Sequence, residues 1–286
     1  MEKLIQYCTR ASLYDGPFDS VVGWAAAGMG YLLTTANGRL VAIDGGNRED
    51  AEAWVELLEA NAPVGTVPEI DLWFITHPHG DHYGALLEIC RRPELCARIR
   101  VKKLVYHFPA EVRNAKGGNI DYVFPDFAAI LAATGAEAYL PQVDEMLEVD
   151  GMRFHILYTP TDCSILNNPN QLSLIFTAQG AGKKIMFTGD AYHRNMQIVV
   201  WRYPKTLACD ILQLPHHGLC DTGNLDFYKK VNAKTVLIPI SVAGDRTMRS
   251  DMYGDSPAVN RWAEDNAEAV YKAFAGTVEL PLCEEG

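Results

Sequence analysis

The chain has 286 residues, of which 48% are hydrophobic and 21% are charged, close to the average of globular domains. This composition excludes disordered, collagen-like and low-complexity chains, because it supplies enough apolar residues to fill a sizeable core. The formal net charge of −11 disfavours non-specific binding to nucleic acids, since their phosphate backbone is also negative.

The sequence predicts neither a membrane span nor a secretory leader. No apolar run approaches the roughly 20 residues that a membrane helix needs, and the N-terminus lacks the apolar stretch and cleavage site of a signal peptide. The seven cysteines are scattered without a Cys-x-x-Cys pair, so we expect neither a disulfide framework nor a structural zinc knuckle. We therefore expect a cytoplasmic protein that makes no contact with membranes.

The first half of the chain alternates predicted strands and helices. An Asn-Gly turn at Asn37 joins the first two strands as a hairpin, and the run IDLWFIT is apolar enough for a strand buried on both faces. In chain order we predict strands at Met29–Thr35 and Leu40–Ile43, a helix at Glu49–Ala60, a strand at Ile70–Thr76, a helix near Tyr83–Cys90, a strand at Lys103–His107 and a helix near Tyr122–Thr134.

The second half repeats this alternation. We predict strands at Met146–Val149, Arg153–Tyr158, Leu172–Ala178 and Lys184–Phe187, a helix near Asn195–Tyr203, a strand at Ile211–Leu214, a helix near Leu225–Val231, a strand at Val236–Ile240, a helix around Pro257–Ala267 and strands near Ala269–Tyr271 and Thr277–Leu280. The order favours one α/β domain over residues 1–286, with helices on the outer faces of two packed sheets.

The segment directly after the apolar strand carries the strongest chemical signal. It reads HPHGDH from His77 to His82 and places three of the eight histidines of the chain beside an aspartate. In a tight loop residues i and i+2 can converge, so His77 and His79 can bind one metal ion. Asp81 and His82 open the following helix and are directed at a neighbouring ion. Imidazole and carboxylate ligands together favour zinc, manganese or iron over calcium or magnesium.

Two later segments place further ligand types at strand ends. Phe187–Asp190 ends an apolar strand in a Gly-Asp turn, and Leu214–Gly218 ends another strand in His216 and His217. Each segment alone is weak evidence, since Gly-Asp is usually a turn and paired histidines usually belong to a solvated loop. Together with HPHGDH they bring carboxylates and imidazoles to the ends of three apolar strands, which predicts an open metal-binding cleft.

HPHGDH, TGD and PHHG in this order resemble the metallo-β-lactamase superfamily of two-metal hydrolases. The resemblance spans about residues 28 to 240 and implies a four-layer αββα sandwich, two packed mixed sheets with helices on their outer faces. It also implies two divalent cations as cofactors. Zinc is the preferred metal, and manganese and iron are the alternatives. Two cations roughly 3.5–4 Å apart lower the pKa of a shared water and stabilise charge on the attacked group.

The resemblance implies a set of metal ligands that is divided between the two cations. These are His77 and His79 for the first cation, Asp81, His82 and His217 (or His216) for the second, and Asp190 as a bridge between both. Asp81 is in addition the candidate catalytic residue, since its carboxylate could orient or deprotonate the attacking water.

One feature departs from most members of the superfamily, which supply a further histidine to the first cation in a Gly-His-Thr segment. Here the corresponding segment reads Thr-Pro-Thr-Asp-Cys from Thr159, and no histidine lies between His155 and His193. Two interpretations remain open. Either Asp162 takes the place of this histidine, or the first site has fewer protein ligands and keeps open positions.

A subgroup that lacks the same histidine is similar to this chain. It comprises the hydrolase domain of DNA-uptake channels and the phosphorylcholine esterases, which combine HxHxDH with an Asn-rich stretch before a Ser-Leu strand. Asn167, Asn168 and Asn170 before Ser173-Leu174 match that arrangement. The similarity makes Asn170 a candidate substrate-binding residue.

Three further residues are candidates for supporting or substrate-binding roles. Asp44 follows a predicted strand and precedes two glycines, so it is either the carboxylate that holds a ligating histidine or a plain turn residue. Tyr192 and His193 follow the Gly-Asp turn, where they either face substrate or start a helix.

We therefore expect a metal-dependent hydrolase that acts on a phosphodiester or phosphoryl ester of a small molecule. The alternatives are a nuclease resembling the DNA-uptake domain, a lactone or thioester hydrolase, and a catalytically degenerate metal-binding module. The net charge and the modest basic run between Arg91 and Lys103 disfavour nucleic acid as a partner without excluding it. The sequence carries no signal for the oligomeric state.

Overall fold

The central strands of the fold are buried along their whole length, which requires a covering layer on each face of the sheet. The computed structural model describes residues 1–16, 28–108, 125–160, 169–219, 223–248 and 256–283. Within these stretches the strands form two sheets of seven strands each.

The first sheet combines the N-terminal strands with the last strand of the chain. Its strands are β1 (Lys3–Gln6), β2 (Gly30–Thr34), β3 (Leu40–Asp44), β4 (Glu69–Phe74), β5 (Arg100–Val105), β6 (Glu137–Tyr139) and β14 (Val278–Pro281). Their order across the sheet is β14-β1-β2-β3-β4-β5-β6. The strands from β3 to β6 are parallel, so their C-terminal ends share one edge of the sheet.

The second sheet is built from the second half of the chain. Its strands are β7 (Met146–Val149), β8 (Met152–Tyr158), β9 (Ile175–Gln179), β10 (Lys184–Phe187), β11 (Ile211–Gln213), β12 (Thr235–Ile238) and β13 (Ala269–Lys272). They follow the order β13-β12-β11-β10-β9-β8-β7. Here the strands from β10 to β13 are parallel.

Helices cover the outer face of each sheet. The helices are α1 (Ala51–Asn61), α2 (Gly80–Arg91), α3 (Pro93–Cys96), α4 (Pro125–Thr134), α5 (His193–Arg202), α6 (Leu225–Val231), α7 (Val242–Met248) and α8 (Ser256–Asp265). The first four pack on the first sheet, and α5, α6 and α8 pack on the second. None of the helices in the described stretches has the length and apolar character of a membrane span.

Three clusters of buried apolar side chains fill the three spaces between the layers. Trp54 of α1 packs with Trp73 of β4 outside the first sheet. Phe74 stacks on Phe176 between the sheets, with ring centroids 4.3 Å apart. Val199 of α5 belongs to the cluster outside the second sheet. This arrangement confirms the predicted αββα sandwich of the metallo-β-lactamase type.

Most predicted elements agree with the observed ones to within a few residues, but four of the observed strands and helices were not predicted. These are β1, the short helix α3, the short edge strand β6 and helix α7. The helix predicted near Tyr122–Thr134 is observed from Pro125 onward, and residues 122–124 lie outside the described stretches.

Candidate metal centre

Loops at the C-terminal ends of four strands meet at one edge of the two sheets. β3 ends at Asp44, β4 leads into the HPHGDH segment, β10 leads to Asp190, and β11 leads to His216 and His217. Since β3 and β4 are parallel neighbours, and β10 and β11 are too, the loops of each pair leave their sheet side by side. Residues far apart in the sequence therefore meet in space.

The HPHGDH segment forms the loop after β4 and the first turn of α2. His79 is the N-cap residue, and the helix begins at Gly80. The Nε2 atom of His77 and the Nδ1 atom of His79 lie 3.0 Å apart, so these two imidazoles face a common point. Asp81 and His82 lie in the first helical turn, where the helix dipole favours a carboxylate.

A second set of contacts joins this turn to the loop after β11. The Oδ2 atom of Asp81 lies 3.6 Å from His82 Nε2 and 3.1 Å from His217 Nε2. Asp190 connects the two sets, because its Oδ2 atom lies 3.7 Å from His77 Nε2 and 3.4 Å from His217 Nε2. Its other oxygen, Oδ1, lies 3.3 Å from His82 Nε2.

The distances between these atoms test whether the cluster fits metal ions. Bonds of about 2.0–2.1 Å to a tetrahedral zinc place the ligand atoms about 3.3–3.4 Å apart. The contacts above range from 3.0 to 3.7 Å. In the described part of the chain, three of the buried ligand atoms have no hydrogen-bond partner, and they are His82 Nε2, His217 Nε2 and Asp190 Oδ1. Because such atoms are costly to bury unpaired, the cluster fits divalent cations.

Two overlapping groups of three residues could hold an ion, and they share His82, whose one free nitrogen, Nε2, binds a single ion. One group consists of His77, His82 and Asp190, and the other consists of Asp81, His82 and His217. The first group is completely buried, whereas the side chain of Asp81 is 17% exposed. The second group is therefore the one that borders solvent.

Hydrogen bonds hold the ring nitrogens that point away from the cluster. His82 Nδ1 lies 2.8 Å from Asp44 Oδ2, and His217 Nδ1 lies 2.7 Å from the carbonyl oxygen of Pro239. Each oxygen accepts the Nδ1 proton, which leaves the Nε2 lone pair of both rings directed into the cluster.

Asp44 is itself fixed by hydrogen bonds to Thr76, a residue that the sequence analysis did not select. The backbone N–H of Thr76 donates to Asp44 Oδ1, and its hydroxyl donates to Asp44 Oδ2, both at 2.8 Å. The Thr76 hydroxyl also lies 3.2 Å from Nδ1 of His77. Asp44 has a left-handed backbone with φ +55°, which is unusual for a residue other than glycine and typical of strained functional positions.

The carboxylate of Asp190 is positioned by three residues of the second sheet. Gly189 has φ +53°, and a Cβ atom there would lie 2.8 Å from Thr76 Cβ, so only glycine fits this turn. The Ser173 hydroxyl accepts the Asp190 N–H at 2.9 Å, and the Gln213 amide oxygen accepts the Gly189 N–H at 2.9 Å. The sequence analysis did not select Gln213, and its strand position before PHHG was the available signal.

The structure distinguishes the two adjacent histidines after β11. His217 Nε2 faces Asp81 and Asp190, as described above. His216 Nε2 lies 4.0 Å from the nearer oxygen of Asp190 and 3.1 Å from the amide nitrogen of Asn170. His217 is therefore the candidate ligand of this pair.

Burial and neighbouring charges change the pKa values of the cluster in opposite directions. Burial, reinforced by the His82 imidazole, holds the pKa of His77 well below its ordinary value. Burial alone would lower the pKa of His217 too, but the carboxylates of Asp190 and Asp81 outweigh it and raise that pKa to about 10. Burial favours the neutral form of Asp190, yet the His82 and His217 imidazoles hold its pKa well below the ordinary value. A metal ion bound at His217 would therefore displace a proton.

The predicted site residue His193 lies away from the cluster in the described structure. His193 is the exposed first residue of α5. Asp162 lies outside the described residues, as do Asn167 and Asn168. Tyr192 is the N-cap of α5, and its hydroxyl lies 3.2 Å from the amide nitrogen of Asn170.

Solved structures with low sequence identity share this fold. PqqB from Methylobacterium extorquens, solved with bound zinc, has 12% identity and a TM-score of 0.59, with 99% of this chain and 100% of that chain covered. Tm1679, described as a metal-dependent hydrolase of the β-lactamase superfamily, has 14% identity and a TM-score of 0.55, with 99% and 100% covered. CmlA, a diiron β-hydroxylase from Streptomyces venezuelae, has 12% identity and a TM-score of 0.56, with 98% of this chain and 54% of that chain covered.

These likenesses show the fold alone, and no curated protein matches the sequence. A family model for the metallo-β-lactamase superfamily, whose members are mostly metal-dependent hydrolases, matches residues 27–238. Since this match covers most of the chain and contains every residue of the cluster, the chain belongs to the metallo-β-lactamase superfamily.

Proposed function

We propose that the chain is a hydrolase with a dinuclear metal centre that cleaves a phosphodiester or phosphoryl ester. The observation that carries the proposal is the position of Asp190, whose two carboxylate oxygens lie 3.3–3.7 Å from the Nε2 atoms of His77, His82 and His217. When bound, two divalent cations supply a water of lowered pKa and stabilise charge on the attacked group.

The residues of the chain have distinct roles in this proposal. Asp190 lies between His77 and His217, with its Oδ2 atom 3.7 Å from the first imidazole and 3.4 Å from the second. Asp81 is partly exposed and borders the solvent side of the cluster, so we propose that its carboxylate orients or deprotonates the attacking water. Asp44 holds the His82 ring and does not contact substrate.

The preference for a phosphorus ester rests on the resemblance to the subgroup of DNA-uptake and phosphorylcholine esterase domains. The chain matches that subgroup in lacking the Gly-His-Thr histidine and in the Asn-rich segment before Ser173. Zinc is the proposed metal, because imidazole and carboxylate donors suit it, although manganese and iron accept the same donors.

A nuclease is disfavoured by the surroundings of the only basic run noted in the sequence. Acidic side chains form ion pairs with most of its basic residues, among them Arg92–Glu94, Arg98–Glu59, Lys102–Glu69 and Lys103–Glu137. Phosphate backbones would have to compete with these carboxylates on a chain of net charge −11. We therefore propose a small-molecule substrate. A cytoplasmic location is part of the proposal, and it is supported by the five described cysteines, which are all free.

The test combines metal analysis with turnover of bis(p-nitrophenyl) phosphate by the purified protein. We expect about two zinc or manganese ions per chain and metal-dependent release of p-nitrophenol. His79→Ala and Asp190→Ala should abolish turnover, whereas His155→Ala should retain it, because His155 lies on β8 outside the cluster.

Other outcomes would favour the alternatives. Hydrolysis of lactones or thioesters without any phosphoester turnover would refute the substrate and leave the metal centre intact. One ion or none per chain, without turnover, would indicate a degenerate metal-binding module. A salt-sensitive gel shift with single-stranded DNA would favour the nuclease.

A further inference from the structure

One buried hydroxyl lies between ligands that are assigned to different cations. It belongs to Thr76, which follows β4 directly before the HPHGDH segment and is completely buried. Its oxygen lies 2.8 Å from Asp44 Oδ2, 3.2 Å from His77 Nδ1 and 3.4 Å from His82 Nδ1. Since His77 is a candidate ligand of the first cation and His82 of the second, the protons around this oxygen affect both.

The carboxylate of Asp44 fixes the direction of these hydrogen bonds. A hydroxyl has one proton to donate, and Asp44 Oδ2 is its nearest acceptor. The proton on His82 Nδ1 also belongs to Asp44 Oδ2, which is nearer to that nitrogen than the hydroxyl is. The hydroxyl oxygen is therefore left as an acceptor that faces His77 Nδ1. A proton on this nitrogen leaves the lone pair of His77 on Nε2, the atom that faces Asp190.

The hydroxyl is not needed to hold the backbone of Thr76 in place. The N–H of Thr76 donates to Asp44 Oδ1 at 2.8 Å, and its carbonyl accepts the N–H of Leu174, the residue before β9, at 2.9 Å. These two bonds tie the residue to segments of both sheets. Valine is also branched at Cβ and has nearly the same shape, so it would keep both bonds and lose the hydroxyl.

Without the hydroxyl, the Nδ1 proton of His77 would have no acceptor among the described residues. The Nε2 atom of the same ring lies 3.0 Å from His79 Nδ1 and 3.7 Å from Asp190 Oδ2, so a proton on Nε2 would have acceptors. Because a buried donor without a partner is costly, the neutral ring would move its proton to Nε2. That atom could then no longer bind a metal ion.

We propose that Thr76 is a positioning residue that sets the tautomer of His77 for the first cation, an inference that rests on the proposed function. Its oxygen holds the Nδ1 proton of His77, while its own proton supports Asp44, which holds His82 for the second cation. One hydroxyl thus orients a ligand of each cation. Binding of the first cation depends on it most, because the resemblance assigns only two imidazoles to that position, His77 and His79.

The experiment determines the tautomer of His77 in the metal-free protein by heteronuclear NMR of the ring nitrogens, at a pH where the ring is neutral. Zinc binding to the same proteins is measured by metal analysis and by competition with a chromophoric chelator. Thr76→Val removes the hydroxyl, and Thr76→Ser keeps it. Thr35→Val is the matched control, because the buried Thr35 hydroxyl also donates to a carboxylate, that of Asp150, at the other end of the β2–β3 hairpin.

We expect the His77 proton on Nδ1 in the wild type and in Thr76→Ser, and on Nε2 in Thr76→Val. Thr76→Val should bind one of two zinc ions about 10–100-fold more weakly, whereas Thr76→Ser and Thr35→Val should bind both like the wild type. An Nε2 proton in the wild type would overturn the proposal even if Thr76→Val fails to fold.

An Nδ1 proton or wild-type zinc affinity in Thr76→Val would overturn the proposal as well, and so would an equal loss of zinc affinity in Thr35→Val. Failure of the proposed function has a different signature. If the tautomers and zinc affinities change as expected but the wild type cleaves no phosphoester, the proposed function alone is refuted.

Discussion

Replacing Asp44 by asparagine tests whether a residue that touches no metal controls the second ligand group. Asp44 is completely buried and accepts three hydrogen bonds, two from Thr76 and one from His82 Nδ1. Asparagine has nearly the same shape and tolerates the left-handed backbone at this position. The substitution therefore changes the hydrogen bonding while it leaves the packing in place.

The consequence follows from the number of acceptors. An asparagine side chain has one oxygen in place of two, so it cannot accept from both the Thr76 N–H and His82 Nδ1. If the amide nitrogen faces His82, the ring proton moves to Nε2, and Nε2 can no longer bind a metal. If it faces the Thr76 N–H, two donors oppose each other. Losses of such outer partners cost 10–100-fold in metal affinity, which is about 1.4–2.7 kcal/mol.

Zinc affinity measured by competition with a chromophoric chelator tests this expectation, and thermal unfolding without metal separates it from a general loss of stability. Asp50→Asn is the matched control. Asp50 is also completely buried and accepts two backbone N–H groups, but it does not contact the cluster residues. Wild-type zinc affinity in Asp44→Asn, or an equal loss in Asp50→Asn, would refute the reasoning.

Three further predictions concern the same loops. Gly189→Ala should destabilise the protein by about 2–4 kcal/mol, measured by urea unfolding, because the new methyl group combines a left-handed backbone with a clash against Thr76. Asn260→Ala should weaken zinc binding and lower the melting temperature, since the buried Asn260 amide donates to the carbonyls of the two residues that follow His217. Zinc affinity should rise with pH, because the raised pKa of His217, about 10, means that zinc must displace a proton at neutral pH.

Each of these expectations has a distinct contrary outcome. A Gly189→Ala variant with wild-type stability would show that the turn can relax. Full zinc affinity in Asn260→Ala would show that the loop needs no support from α8. For His217 the direction of the pKa shift can be checked in two ways. The metal-free protein should lose stability as the pH rises from about 6.5 towards 10. Calorimetry in two buffers should detect proton release when zinc binds. Zinc binding without proton release would contradict the raised pKa of His217.

Local sequence patterns were sufficient for most elements of the fold and for selecting most of the residues that meet at the cluster. The HPHGDH segment is a compact signal, because its four ligand side chains lie in one loop and one helical turn. The central strands were recognisable, since they are apolar on both faces. β1, α3, β6 and α7 were not recognisable. α3 is a single turn of four residues. β1 is defined by pairing with β2 and with β14 at the other end of the chain, β6 has only three residues, and α7 has no apolar periodicity.

The tertiary structure alone decided which residues meet at the cluster. The sequence favoured His217 and kept His216 as an alternative. Their separation depends on two left-handed residues that turn one ring towards Asp190 and the other towards Asn170. The supporting contacts of Thr76 and Gln213 were also beyond sequence reasoning, because a threonine or glutamine at a strand end is chemically ordinary until a loop from elsewhere is placed against it. The sequence by itself determined the types of ligand, and the distances between them exist only because two sheets bring the ends of their strands to one edge.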